Sequence, residues 1–181
     1  HYEDYKAGSA KLDTCMELVH GALDGGHRIL LFSQFTGMLD IIGKRLAKED
    51  IAFLKLTGAS SKESRAKMVA QFQAGEVPVF LISLKAGGVG LNLTAADVVI
   101  HYDPWWNVAA QDQATDRAHR IGQQHTVTVY KLIAKDTIEE RIMQMQESKR
   151  DLVNSVLGGA GISSALFTRE DVLALLGGDG R

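Results

Sequence analysis

The chain has 181 residues, enough for one domain with a substantial core. Its 45% hydrophobic content and two prolines argue against disorder, and its net charge of −2 excludes a uniformly basic nucleic-acid binder, so any such contact must come from a local patch or from backbone amides. A single cysteine, Cys15, excludes an internal disulfide and a thiolate-rich metal cluster; no apolar run reaches membrane-spanning length and no secretory signal is visible, so an intracellular protein with no membrane partner is expected.

The chain starts at His1 and reads as a piece of a larger protein. Residues 1–8 are polar and irregular, a linker by composition. Residues 9–24 are predicted helical, with Ser9 as N-cap and Leu12, Met16, Val19 and Leu23 at helical spacing. Cys15 falls among these apolar residues and reads as a buried thiol. Gly25 and Gly26 end the helix. Residues 28–33 form a continuous apolar run, the mark of a buried parallel strand. A helix is predicted over 39–48 and a strand over 52–56. After a turn at 58–61, a helix capped by Ser61 or Ser64 runs to about Gln73. Further strands are predicted at 77–83, 98–102 and 127–133, with helices in the gaps. Alternating helices and doubly apolar strands mean an α/β parallel sheet covered on both faces.

From Asp136 the pattern changes. Ile138, Ile142, Met145, Leu152 and Val156 fall on one stripe of a long amphipathic helix, interrupted by Lys149. Asp136 or Thr137 caps it, and Glu139 and Glu140 suit its positive end. Residues 158–161 end it, and 167–176 read as a last short helix. The predicted organisation is a linker (1–8), a lobe (9–135) and a helical extension (136–181).

Three segments carry the chemistry. Lys85-Ala-Gly-Gly-Val-Gly (85–90) follows a strand directly, where parallel sheets bind ligands, and its glycines let backbone amides approach a phosphate; as residues alone it also fits a flexible turn. Trp105 and Trp106 follow another strand and cannot both point into one core. Residues 111–123 place Gln113, Arg117 and Arg120 on one broad helix face beside a stripe of Ala110, Ala114, Ala118 and Ile121. A pair of arginines at this spacing ordinarily marks a solvated face, but guanidinium is also the planar, bidentate group that grips phosphate. The six histidines are scattered without metal spacing, so no metal site is expected; His101 reads as a strand-end residue near the cleft.

Residues 83–93 (Ser-Leu-Lys-Ala-Gly-Gly-Val-Gly-Leu-Asn-Leu), 103–107 (Asp-Pro-Trp-Trp-Asn) and 113–123 (Gln-Ala-Thr-Asp-Arg-Ala-His-Arg-Ile-Gly-Gln), in this order and spacing, resemble the C-terminal motor lobe of the Swi/Snf family of DNA-dependent ATPases, in helicase superfamily two. The likeness covers residues 9 to about 150. It implies a RecA-like three-layer parallel sheet with helices on both faces and a C-terminal helical brace. It implies that Arg117 and Arg120 are arginine fingers reaching the γ-phosphate of ATP held by the other lobe, oriented by Gln113 and Asp116. Gly90 and Asn92 would face the ATP ribose. Ser83, Lys85, Gly87, Trp105 and Trp106 would face duplex DNA, with Gln34 and with Thr57 and Gly58, which resemble two smaller motifs. Phe35 is expected in the core beneath Gln34, and Arg65 fits either a family arginine or a surface ion pair. Val108 and Gln111 stand where the family commonly has Pro and Glu, and Thr57 where Asp is usual. These departures touch turn geometry and an acidic role, not the arginines.

The chain carries neither a Gly-x-x-x-x-Gly-Lys-Ser/Thr loop nor an Asp-Glu pair for magnesium. The resemblance assigns those parts, and most contacts to ATP and Mg2+, to an N-terminal ATPase lobe of the same polypeptide. The expectation is half an active site: a parent that hydrolyses ATP on duplex DNA and remodels nucleosomes, RNA polymerase or other DNA-bound proteins, and a fragment inactive alone. The parent would sit in the cytoplasm or nucleoid if bacterial, as the compact motif spacing suggests, and in the nucleus if eukaryotic. Two other readings are an interaction module docking through residues 136–157, and an RNA-directed relative; the Asp-Pro-Trp-Trp-Asn block argues against the second.

Overall fold

The computed structural model describes residues 10–87, 91–105, 108–116, 118 and 126–157, with 87, 108–111 and 149–157 described by their backbone alone. In chain order the elements are α1 (Ala10–Asp24), β1 (Ile29–Ser33), α2 (Thr36–Lys48), β2 (Phe53–Leu56), α3 (Lys62–Ala74), β3 (Val79–Ser83), α4 (Leu84–Gly87), β4 (Val98–His101), α5 (Val108–Thr115), β5 (Thr128–Lys131) and α6 (Ile138–Leu157). The strands form one sheet in the order β2-β3-β1-β4-β5, and all pairings are parallel.

Period-two alternation sorts the core into two layers. Ile29, Leu31, Val79, Leu81, Val98 and Ile100 pack with Cys15, Met16 and Val19 of α1 and with Leu39, Ile42 and Leu46 of α2. Leu30, Phe32, Phe80, Ile82 and Val99 face the other way, onto Phe72 of α3, Leu84 and Ala86 of α4 and Ala114 of α5. This is the expected RecA-like sandwich of a parallel sheet between helical layers. Every residue of β1, β3 and β4 is buried. β5 departs from the expectation of doubly apolar strands. All four of its residues are exposed; among the described residues β5 is the last strand of the sheet and pairs with β4 alone.

Local sequence fixes the helix ends. Gly26 (φ 74) closes α1 and Gly75 (φ 81) closes α3, each with the paired bonds of a Schellman turn: Gly26 N to Leu23 O and His27 N to Ala22 O, then Gly75 N to Phe72 O and Glu76 N to Gln71 O. Asp50 (φ 55) plays the same part after α2. Ser61 caps α3 by accepting from Ser64 N at 3.1 Å. At α6, Thr137 Oγ1 accepts from Glu139 N, while the Glu140 carboxylate accepts from Asp136 N at 2.9 Å. The predicted caps of α3 and α6 are therefore present. Ser9, the segment 158–161 and the short helix expected at 167–176 lie outside the described residues, as does the linker 1–8.

Candidate functional site

The chain leaves β1 toward β2 on one side and leaves β4 toward β5 on the other. Such a reversal opens a crevice between the carboxyl ends of two neighbouring strands, the usual ligand position in an open parallel sheet. Polar side chains concentrate there. Ser33 (0% exposed) ends β1, and Asp103 (4%) follows β4 by two residues. The Ser33 hydroxyl donates to the Asp103 carboxylate and accepts from Phe35 N at 3.1 Å. Gln34 N donates to Asp103 Oδ1 at 3.0 Å, and Gln34 Nε2 donates to Pro104 O at 3.1 Å. Burial pushes the Asp103 carboxyl above its ordinary range, and the bonds from Ser33 and Gln34 oppose that shift. One carboxylate thus pins the turn after β1 to the turn that carries Trp105.

Of the residues expected to face nucleic acid, Gln34 is half-buried and spends its amide on Pro104. Phe35 corrects an expectation: it is 60% exposed, not in the core. It is the N-cap of α2, in extended conformation, and stands past the end of the strand where no facing layer covers it. No side-chain hydrogen bond from Phe35 caps α2; Met38 N and Leu39 N turn back to Phe35 O at 3.1 and 3.3 Å, and Gly37 meets nothing within 4 Å of an added Cβ. Thr57 is half-buried, with its N–H on Ser60 Oγ at 3.2 Å, and Gly58 is exposed beside it. Arg65 donates to Ser60 O at 3.1 Å, an intrachain brace for this turn. Ser83 is only 2% exposed, and its hydroxyl finds no partner among the described residues. It lies inside the edge, while Lys85 in α4 is exposed and Gly87 closes that helix turn.

On the opposite face of the sheet, His101 ends β4 at 1% exposure. Its ring stacks on Phe32 (centroids 5.5 Å apart, 19° between planes), and its Nε2 bonds Thr115 Oγ1 at 2.9 Å. Burial holds its pKa down at about 4, with Lys131 adding to the effect, so the ring is neutral at physiological pH. Thr115 is the last residue of α5. Ala114 and Ala118 lie buried against the sheet, as the small-residue stripe predicts, while Gln113 and Asp116 are exposed. Asn92 is exposed on the segment returning to β4, which Gln73 holds by accepting from Ala95 N at 2.8 Å. Gly90, Trp106, Arg117 and Arg120 lie outside the described residues. Trp105 is half-buried against the α3/α5 layer.

Sequence reasoning missed how α6 reaches this site. Gln146 is 5% exposed and donates to Trp105 O. Lys11 of α1 meets both oxygens of Glu139, which also accepts from Ala134 N at 2.8 Å, and Lys11 Nζ sits 5.0 Å from the centre of the Tyr102 ring. The available signal for Gln146 was its place one turn after Ile142, which is 2% exposed. The apolar stripe read from sequence included Ile138, which is 40% exposed, and passed over this polar residue. Among the described residues no group of three or more His, Cys, Asp or Glu side chains is placed to hold a metal ion. No described helix is long and apolar enough to cross a membrane.

The family model for the helicase conserved C-terminal domain matches residues 10–122. The chain belongs to that family. The matched span takes in β1 to β4 and the turn that follows α5. Relatives of this helicase C-terminal domain include an uncharacterized ATP-dependent helicase of Mycoplasma pneumoniae, 48% identical over 168 residues, which is 92% of this chain and 16% of that protein. The chromatin-remodeling ATPase INO80 of Homo sapiens is 44% identical over 152 residues, 83% of this chain and 10% of that protein. The chain thus spans less than a fifth of the length of these curated relatives. Among solved structures, the C-terminal part of the Fun30 ATPase domain superposes with a TM-score of 0.73 at 38% identity, covering 80% of this chain and 47% of that one. The Sulfolobus solfataricus SWI2/SNF2 ATPase core in complex with dsDNA superposes with a TM-score of 0.68 at 40% identity, covering 83% and 32%. The lobe is of the Swi2/Snf2 ATPase type.

Proposed function

We propose that this chain is the second motor lobe of an ATP-dependent DNA translocase that remodels DNA-bound proteins such as nucleosomes or RNA polymerase. It works as residues 9–135, with residues 136–181 as a helical extension and 1–8 as a linker. The observation that carries the reading is the gathering, at one edge of the sheet, of the turns after β1, β2, β3 and β4. That edge holds Gln34, Thr57 and Gly58, the end of β3 at Ser83 with α4 (Leu84–Gly87) after it, and Trp105. The uncapped α2 terminus and exposed Lys85 supply phosphate-binding groups on a chain whose net charge is −2. That a Swi2/Snf2 core of the same fold is a complex with dsDNA supports duplex DNA as the partner.

The catalytic contribution in this proposal comes from Arg117 and Arg120, which follow α5 in sequence. They stabilise charge on the transferring phosphoryl group, a role worth about 10³–10⁵ in rate. Gln113 and Asp116 orient them, and Gly90 and Asn92 line the ribose side. The sequence has no phosphate-binding loop of the Gly-Lys-Ser/Thr kind. In this proposal the metal and most nucleotide contacts belong to the N-terminal lobe. The protein acts where DNA is, in nucleoid or nucleus.

The test has two arms. The 181-residue chain alone is expected to show no ATP turnover, with or without duplex DNA. In the full-length polypeptide, Lys85→Ala is expected to weaken duplex binding across all sequences and lower the salt slope by about 1. DNA-stimulated turnover by the chain alone, or an unchanged salt slope, would contradict the proposal.

A further inference from the structure

His101 is expensive for the fold to keep. It stands at the end of a strand whose other residues are Val98, Val99 and Ile100, in a layer built from Phe32, Phe80 and alanines. Nε2 bonds Thr115, but Nδ1 is buried with no partner among the described residues. A buried nitrogen without a partner loses its hydration and gains nothing in return. A phenylalanine would keep the stack on Phe32 at no such cost. The one thing the imidazole does that phenylalanine cannot is reach Thr115. That residue closes α5, two positions before Arg117.

We infer that His101 is a positioning residue, whose bond to Thr115 fixes the last turn of α5 against the end of β4 and so sets the direction in which the chain leaves toward Arg117 and Arg120. The inference rests on the arginine reading proposed above. Three observations converge on that turn. Ala114 (3% exposed) and Ala118 (0%) seat it on the sheet but, being small, leave its rotation about its own axis weakly fixed. Asp116 N bonds Asp112 O at 2.8 Å and Ala118 N bonds Thr115 O at 3.1 Å, so the end of α5 is closed by backbone bonds on either side of Thr115. The His101–Thr115 bond is a polar tie from the sheet to this turn. Its ring is clamped by Phe32, and β4 itself is paired with β1 on one side and β5 on the other. A misplacement of about 1 Å at a catalytic group costs up to roughly 100-fold in rate.

The experiment measures ATP turnover of the full-length polypeptide at saturating duplex DNA for wild type, His101→Phe, Thr115→Val, Thr115→Ser, His101→Phe with Thr115→Val, and Arg120→Ala, with a melting temperature for each. His101→Phe and Thr115→Val are each expected to lower kcat about tenfold or more with KM for ATP held within about twofold, and the double variant is expected to be no worse than either. Thr115→Ser, which keeps the hydroxyl, is expected to restore kcat. His101→Phe is expected to melt no lower than wild type, since it removes the orphaned nitrogen. Unchanged kcat in Thr115→Val beside a severe loss in Arg120→Ala would overturn this inference and leave the arginine reading standing. A silent Arg120→Ala would overturn both. A serine variant as impaired as the valine variant, or losses that follow the melting temperatures, would reduce His101 to a packing residue and overturn the inference.

Discussion

The hydroxyl of Ser33 donates to the carboxylate of Asp103 across the junction of β1 and β4, joining residues 70 apart in sequence. Both are buried, and Asp103 draws its other bond from Gln34 N. Ser33→Ala removes the donor and strands part of a buried carboxylate. Equilibrium unfolding in urea should show a loss of about 1–3 kcal/mol. A loss under about 0.5 kcal/mol would mean the carboxylate is satisfied without Ser33.

The depressed pKa of His101 gives the fold an acid limit. The unfolded chain takes up this proton near pH 6.5, whereas the folded chain resists it down to about 4. Stability is therefore unaffected above pH 6.5 and falls as pH drops toward 4. The full loss is about 3 kcal/mol at roughly 1.4 kcal/mol per pK unit. Asp103 works in the opposite sense, because its raised pKa makes acidification relieve a cost. Thermal melts from pH 7 to 4.5 should show a shallower acid limb for His101→Phe than for wild type; parallel limbs would contradict the assignment.

Burial pushes the Cys15 thiol up to about 12, with Lys11 pulling the other way. The native chain should not react with a disulfide reagent at pH 8, and unfolding should release one reactive thiol. Fast labelling of the native chain would place Cys15 outside the core.

Gly43 lies where α2 crosses β2, and a Cβ there would sit 3.0 Å from two ring carbons of Phe53. Gly43→Ala should destabilise by about 1–3 kcal/mol despite the better helix propensity of alanine, as measured by denaturant unfolding. A gain in stability would show that Phe53 moves aside freely.

The central strands were legible because residues 29–33, 79–83 and 98–101 are apolar on both faces, and only a sheet covered by two helical layers explains that. The sandwich followed directly. β5 was overextended in the reading, because Val127 and Leu132 add apolar character to a strand whose paired residues end at Lys131. Phe35 was misplaced because composition says nothing of where a strand stops relative to the layer above it. The motif residues were found by resemblance, but the buried polar ties among them were not. Ser33 with Asp103, His101 with Thr115 and Gln146 with Trp105 join positions that only the sheet order brings together. No local periodicity encodes those pairs.

The central claim is that this lobe supplies the phosphate-gripping arginines to a nucleotide bound elsewhere. The most direct measurement is ATP turnover by the full-length polypeptide with and without duplex DNA, for wild type and Arg120→Ala, with nucleotide binding measured in parallel. The account predicts that DNA stimulates the wild type and that Arg120→Ala loses about 10³-fold or more while still binding ATP. Turnover indifferent to Arg120 would contradict it and leave the lobe a scaffold.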